Sequence, residues 1–384
     1  MIVKFTNRLR NSFKADQLQT RDRFWFTLLG MFLLLMRCGL HPGGLGGGNG
    51  GAVLPALLSF PKPMGIFSEG IVPLSLLKIL QIHTLAVFTL FHLVLTLIFC
   101  FTVLFKISGQ QKKWRSLLLF GCIFSPVAFE LLNLIGIGDI YTIIGWCLFL
   151  IPDSKYLWFV GVILVSFTNT PQTPISVVIL IIYYFANPTH IPLNRLVTLA
   201  CTSIPGFLAV EAWLRFNHQS GFINGNGHGL LSFLSDSGFQ FIQHMPNSLV
   251  SCYGIFWIPI VLYLFDSRGL RMIYLTTSLI LIPLFFSVVV IDATRVFTNL
   301  VFPAAVLAVT AHFKSRTDEQ LNIQRRIYIL IALFSPINYY YAGIYIKPFQ
   351  GYLTLFRNGF FHHNCANPFL TSIQQSACRF IQSI

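Results

Sequence analysis

Long apolar runs, parted by short clusters of lysine and arginine, repeat along almost the whole chain. This alternation limits the available folds more than any motif does. Only 10% of the residues are charged and 55% are hydrophobic, whereas soluble domains carry about 25% charge. A water-soluble core could not hide so much apolar surface, because too little polar surface would remain to face solvent. A bilayer removes the difficulty by solvating apolar helix faces directly. The 39 phenylalanines suit lipid-facing helices and aromatic-lined cavities alike.

The runs predict an all-α, polytopic transmembrane helix bundle. Residues 1–23 are polar and basic and lead into an apolar run from Phe24 to Met36. That start resembles a signal peptide, but many further runs follow, so an uncleaved first helix beginning in the cytoplasm is expected. Further spans are expected at 84–105, 116–134, 196–214, 248–265, 272–291, 296–311 and 327–345. Three shorter runs, 140–151, 156–167 and 175–185, fall below the ~20 residues of a straight crossing helix. They need either polar extensions or burial as irregular segments. The count is about eleven spans. The transmembrane domain then covers 24–345, with outer loops at 40–83 and 214–247 and a non-cytoplasmic tail at 346–384. Within the first loop, 66–82 is amphipathic, with Leu74, Leu76, Leu77 and Leu80 on roughly one side, and is expected to lie in the membrane interface. The glycine-rich stretch 43–51 cannot hold a helix and lacks the Gly-Lys-Ser/Thr ending of a phosphate-binding loop.

The charge distribution selects the orientation. With a cytoplasmic N-terminus, eighteen of the 26 lysines and arginines face the cytoplasm, and the inverse threading would reverse that bias. The net charge of +14 therefore reads as positive-inside patterning with some affinity for anionic head groups. Nucleic acid is not expected as a partner, since the bases are not gathered on one domain with interleaved aromatics. The eight cysteines show no CxxC or Cys/His spacing and mostly sit in apolar runs as small core residues. Cys365 and Cys378 share the outer tail, a setting that permits a disulfide.

Twelve acidic residues are present, so their placement is informative. Asp16, Asp22, Asp153, Asp266, Asp318 and Glu319 accompany cytoplasmic bases. Glu69, Glu130, Asp139, Glu211, Asp236 and Asp292 fall at or near the outer face. Glu130 lies inside a span, four residues after Pro126, and shares a helix face with Asn133. It is either a functional ionisable group or a protonated, hydrogen-bonded residue that fixes helix packing. Asp139 follows Gly136-Ile137-Gly138 at an outer helix end. It can serve a site, cap the helix, or do both. Asp292 and Arg295 stand three apart, so in a helical turn they share a face. Such a pair can position an acceptor hydroxyl or a phosphate, or close a hairpin. Glu69 is the only acid in the first outer loop, flanked by Arg37 and His41. The ten histidines match no zinc pattern; His92, inside the second span, reads as a packed, hydrogen-bonded residue. No metal site is expected, and no cofactor, although a divalent cation stays compatible.

The layout resembles the polytopic glycosyltransferases of the GT-C superfamily: a cytoplasmic N-terminus, a long first outer loop with interfacial helices, several short spans and a site on the outer side. Arg37 to His41-Pro42 resembles the start of that family's Arg…His-Pro-Asp-Glu element, with Gly43-Gly44 standing where the acids would be. The resemblance implies a hexosyltransferase-type enzyme. It would move a sugar from a polyprenyl-phosphate donor to a glycan or lipid acceptor outside the cytoplasm. It implies Asp292, Glu69 or Asp139 as the catalytic carboxylate, with Arg295, Arg37, His41 and Glu130 binding substrate. Membrane lipids are the remaining expected partners. The absence of an Asn-x-Ser/Thr sequon favours a bacterial inner membrane over an ER-lumenal face. The competing reading is a transporter or flippase of lipid-linked glycan, with Glu130 as coupling acid; paired halves that would mark one are not visible. A third is a non-catalytic membrane protein, which the loss of acids at 43–44 would suit.

Overall fold

The computed structural model describes residues 20–38, 71–82, 85–107, 114–132, 139–151, 154–168, 172–216, 245–288, 293–334, 339–341 and 344–346. Within them the apolar runs are helices. α1 (Thr20–Cys38), α2 (Ile71–Ile79) and α3 (Leu85–Thr102) come first, and α3 ends in a wide π-turn at Val103–Ile107. α4 (Arg115–Ile123) and α5 (Val127–Leu132) share one apolar run, broken at Ser125-Pro126. Three shorter helices follow: α6 (Asp139–Phe149), α7 (Lys155–Thr168) and α8 (Thr173–Ala186). α9 (Leu193–Phe216) is the longest. α10 (Met245–Tyr253) and α11 (Trp257–Phe265) are joined by a 3-10 turn, and α12 (Leu270–Thr276) and α13 (Ile282–Val288) by a π-turn. α14 (Ala293–Lys314) and α15 (Asp318–Phe334) close the helical part.

Among the described residues, five helices are long and apolar enough to cross a membrane: Val87–Ile107, Leu193–Phe216, Ser248–Phe265, Leu270–Val288 and Thr294–Lys314. Their outer surfaces explain why water is the wrong solvent. Only 28% of the Leu270–Val288 window is buried, and Ile273, Leu281 and Phe285 are each more than half exposed. Leu90, Ile204 and Leu208 are equally bare on other long helices. Such contiguous apolar surface is stable against lipid and not against water. Hydroxyl side chains inside the bundle meet the same constraint locally. Thr96 donates to the His92 carbonyl at 2.9 Å, Thr298 to Thr294 at 2.8 Å and Ser287 to Pro283 at 2.6 Å, each back along its own helix.

α14 is the central element, with 83% of its window buried. α6 is more enclosed still. Ten of its eleven residues are buried, so this helix of about 16 Å is wrapped by protein where its length falls short of a bilayer. α6 and α7 cross at glycines. A Cβ on Gly161 would lie 2.5 Å from the Gly145 carbonyl oxygen and 2.5 Å from the Phe149 nitrogen. Neither backbone atom can step aside.

The end of the apolar pattern departs from expectation. The sequence predicts a span over 327–345, but the helix stops at Phe334, and β1 (Tyr339–Tyr341) pairs antiparallel with β2 (Ile344–Ile346). Pro336 disfavours helix continuation, and aromatic and β-branched residues around Gly343 suit a hairpin. β1 packs against α10 and α14. The amphipathic stretch expected at 66–82 is helical over Ile71–Ile79, where Leu74 and Leu77 are buried and α2 packs on α7. Leu80 stands outside that face, 48% exposed.

The glycine crossing gives a test. Gly161→Ala is expected to lower the thermal midpoint of the purified protein, at a cost of about 1–3 kcal/mol. Gly30→Ala is expected to be milder, because the close contact of its Cβ, Leu119 Cδ2 at 2.7 Å, is the end of a side chain rather than backbone. Equal midpoints for the two variants would refute the assignment of the crossing.

Candidate functional site

Two polar clusters sit at opposite ends of α8. The first joins α6 to α14. Asp139 opens α6, where a carboxylate is favoured by the helix dipole, and its side chain is 0% exposed. Arg295 Nε donates to Asp139 Oδ2 at 2.5 Å, and Asn299 Nδ2 donates to Asp139 Oδ1 at 2.6 Å. Arg295 and Asn299 stand one turn apart on the same face of α14. Arg295 keeps 19% of its side chain exposed, whereas the Asp139 side chain is sealed. Ser176 on α8 approaches the Asn299 carbonyl at 3.5 Å, and the Ser251 and Thr294 hydroxyls lie 3.0 Å apart beside it. With both oxygens accepting bonds from α14, Asp139 is suited to hold Arg295 in place.

Among the described residues, the carboxylate that Arg295 meets is 156 positions away. The i,i+3 reading with Asp292 cannot be set beside it, because Asp292, Glu69 and His41 lie outside the described residues. Arg37 falls in the last turn of α1. Glu130 is 0% exposed on α5, one turn past Pro126, whose carbonyl accepts from its amide at 3.3 Å. Asn299 was not among the expected residues. Its position one turn after Arg295 in an apolar helix was the available signal. His92 is packed as expected: Nδ1 lies 2.8 Å from the Phe88 carbonyl, and Phe88, Phe91 and Tyr141 surround the ring. Glu211, counted among the outer acids, pairs with Arg215 at 2.7 Å. Cys365 and Cys378 lie outside the described residues, whereas Cys100, Cys122, Cys147 and Cys252 are buried thiols. Among the described residues no group of three His, Cys, Asp or Glu is placed to hold a metal.

The second cluster gathers at the other end of α8. Asn187 Oδ1 accepts from the Tyr263 hydroxyl at 3.0 Å and from Arg271 Nη2 at 2.8 Å. The Tyr183 hydroxyl and His190 Nδ1 are 2.9 Å apart. Arg316 pairs with Asp266, beside His312. Arg195 Nη1 donates to the carbonyls of Phe149 and Ile151 at the end of α6. His190 is held down to about 4 from its ordinary 6.5, first by burial and then by the charges of Lys314 and Arg271.

Between these ends, two helix breaks face each other. Gly254 adopts a φ of 55° after α10, and Ile255 N donates to the Phe124 carbonyl at the α4–α5 break, 3.2 Å away. A small crevice of about 10 Å³ opens there, lined by Ser125, Pro126, Tyr253, Phe256 and Thr298 among others.

No family model matches the chain, and neither a curated protein nor a solved structure matches it. The class is therefore defined by the fold alone: a helical protein that has, among the described residues, five helices able to cross a membrane and a buried ion pair joining one of them to the shorter helix α6.

The ion pair is testable by a double-mutant cycle. Asp139→Asn leaves a largely buried guanidinium uncompensated and is expected to cost about 3–5 kcal/mol. Adding Arg295→Gln should recover part of that loss, whereas strictly additive effects on the thermal midpoint would exclude direct coupling.

His190 sets a pH dependence. Its folded value lies below its ordinary one, so between about 6.5 and 4 the unfolded chain binds the extra proton. The contribution is whole above pH 6.5 and is lost as the pH falls toward 4. His190→Gln is expected to flatten the midpoint against pH over that window; an unaltered slope would contradict it.

Proposed function

We propose that the chain is an integral membrane transferase that handles a phosphate-linked lipid, with Arg295 as the phosphate contact. The observation that carries this reading is the Asp139–Arg295–Asn299 cluster, in which a sealed carboxylate presents a guanidinium at the end of the bundle. Two of the residues marked as costly in the sequence meet there. The bases expected on the cytoplasmic side, Arg195, Arg271, Lys314 and Arg316, belong to the opposite end, which supports the positive-inside orientation.

In this reading the donor is a sugar on a polyprenyl phosphate. The acceptor hydroxyl oxygen bonds to the anomeric carbon as the bond from that carbon to the phosphate oxygen breaks. The hydroxyl proton passes to an outer carboxylate, for which Asp292 and Glu69 are the candidates. The lipid phosphate leaves with its charge held by Arg295, a donor fixed in place before the reaction begins. Asp139 is the positioning residue, since both its oxygens already accept hydrogen bonds. Glu130 serves the buried packing of α5.

The test is sugar transfer in membranes carrying the full chain, with a labelled polyprenyl-phosphate sugar and extracted lipid or glycan acceptors. Arg295→Ala is expected to lower product roughly 100-fold or more with membrane insertion intact, and Arg295→Lys to restore only part. Undiminished product in Arg295→Ala would reject the role. A second reading, transport, is favoured by the two opposed helix breaks, since interrupted helices are the usual makers of transporter sites. Substrate flux across proteoliposomes, abolished by Glu130→Gln and accompanied by no covalent transfer, would establish it instead.

A further inference from the structure

The arginines of the second cluster are not equivalent. Arg316 pairs with Asp266, and Arg195 caps two carbonyls. Arg271 is held only by neutral groups. Nη2 donates to Asn187 Oδ1 at 2.8 Å and to the Tyr263 hydroxyl at 3.0 Å, and the guanidinium carbon sits 5.5 Å from the centre of the Tyr263 ring. Among the described residues no carboxylate pairs with it. It is nevertheless exposed. A guanidinium fixed in orientation, left uncompensated and facing outward is a receptor for a planar or tetrahedral oxyanion.

A second cation stands beside it. Lys314, at the end of α14, is exposed, and among the described residues no carboxylate pairs with it. Arg316, two residues past Lys314, pairs with Asp266, five residues before Arg271, so the end of α14 lies against the turn that leads into α12 and both cations belong to this end of the bundle. Next to this charge is apolar surface. Tyr274, one turn on from Arg271, packs its ring 6.0 Å from that of Phe185 on α8. Phe185 is 63% exposed, and Leu270 and Ile273 are 69% and 59% exposed.

We propose that Arg271 and Lys314 bind the phosphate of an anionic membrane phospholipid whose acyl chain lies along Phe185 and Tyr274. The charge selects an anion, and the adjoining apolar face selects one with a hydrocarbon tail. A zwitterionic lipid carries a compensating amine and is a poorer match. The site requires only that the helices lie in a bilayer. It stands or falls separately from the role of Arg295.

The test uses the full chain, purified and delipidated in detergent, then titrated with phosphatidylglycerol, phosphatidylcholine or inorganic phosphate. Native mass spectrometry reads retained lipid, and the thermal midpoint reads stabilisation. Phosphatidylglycerol is expected to be retained and to raise the midpoint, whereas the other two are expected to do neither. Lys314→Gln and Arg271→Gln are each expected to weaken retention roughly tenfold, one charge-assisted contact's worth. Equal retention of phosphatidylcholine would overturn the proposal, and so would stabilisation by inorganic phosphate alone. Lys314→Gln removes no side-chain hydrogen bond seen among the described residues. Unchanged retention in that variant is therefore decisive against the site, even where Arg271→Gln fails to fold.

Discussion

A carboxylate placed between apolar helices has no water to fall back on. Removing such a group from water unpaired costs several kcal/mol, so the position of Asp139 dictates what must surround it. Arg295 and Asn299 answer both oxygens from successive turns of one helix. That answer works in a single register of α6 against α14, because a shift of one turn would leave an oxygen unmet. α6 is short and almost wholly enclosed, so it cannot settle its own depth by matching a bilayer. Its depth is set from two sides. The ion pair holds its first residue to α14, and the Gly145–Gly161 crossing holds its middle to α7. Any chemistry at Arg295 inherits its geometry from that packing.

The same scarcity of water explains how the bundle accommodates broken helices. Interrupted backbone is tolerated at membrane depth only where protein satisfies it. At the α4–α5 break the Phe124 carbonyl accepts from Ile255, and Ser125 Oγ donates to the Cys122 carbonyl at 2.8 Å. The π-turn between α12 and α13 releases a carbonyl at Leu279, and the Tyr253 hydroxyl donates to it at 2.5 Å. Tyr253 directly precedes Gly254, so one residue ties a π-turn to a second break. These irregularities form one connected set around α14, and the crevice beside Thr298 is its consequence.

Much of the helical layout was legible because apolar runs and basic punctuation are local signals. The cost of Asp139 and Arg295 was legible for the same reason: each is charged beside an apolar run. Their partnership was not, since 156 residues separate them and no pattern in one chain reports a contact at that range. The nearby Asp292 offered a closer partner on paper. Asn299 was passed over because a neutral amide draws less notice than a charge. The break at Pro126 had a proline to announce it. The break at Gly254 had only a glycine, and its left-handed φ depends on tertiary packing. The hairpin at 339–346 was missed because a hydropathy window weighs tyrosine and isoleucine without asking whether they prefer helix or strand.

The two arginine sites show how one residue type is put to different use at the two ends of α8. At Arg295 the positive charge is cancelled by a buried carboxylate, and the two hydrogen bonds to Asp139 from Arg295 and Asn299 fix the pair to α14. At Arg271 neutral groups do the holding, and the charge itself is left outstanding. Cancelled charge suits a site where a substrate must arrive and leave, since release is easier from a neutral pair than from a bare cation. Outstanding charge suits a lasting resident of the leaflet. The two arginines therefore differ in how their charge is balanced: Arg295 against a buried carboxylate, Arg271 against an amide and a phenol.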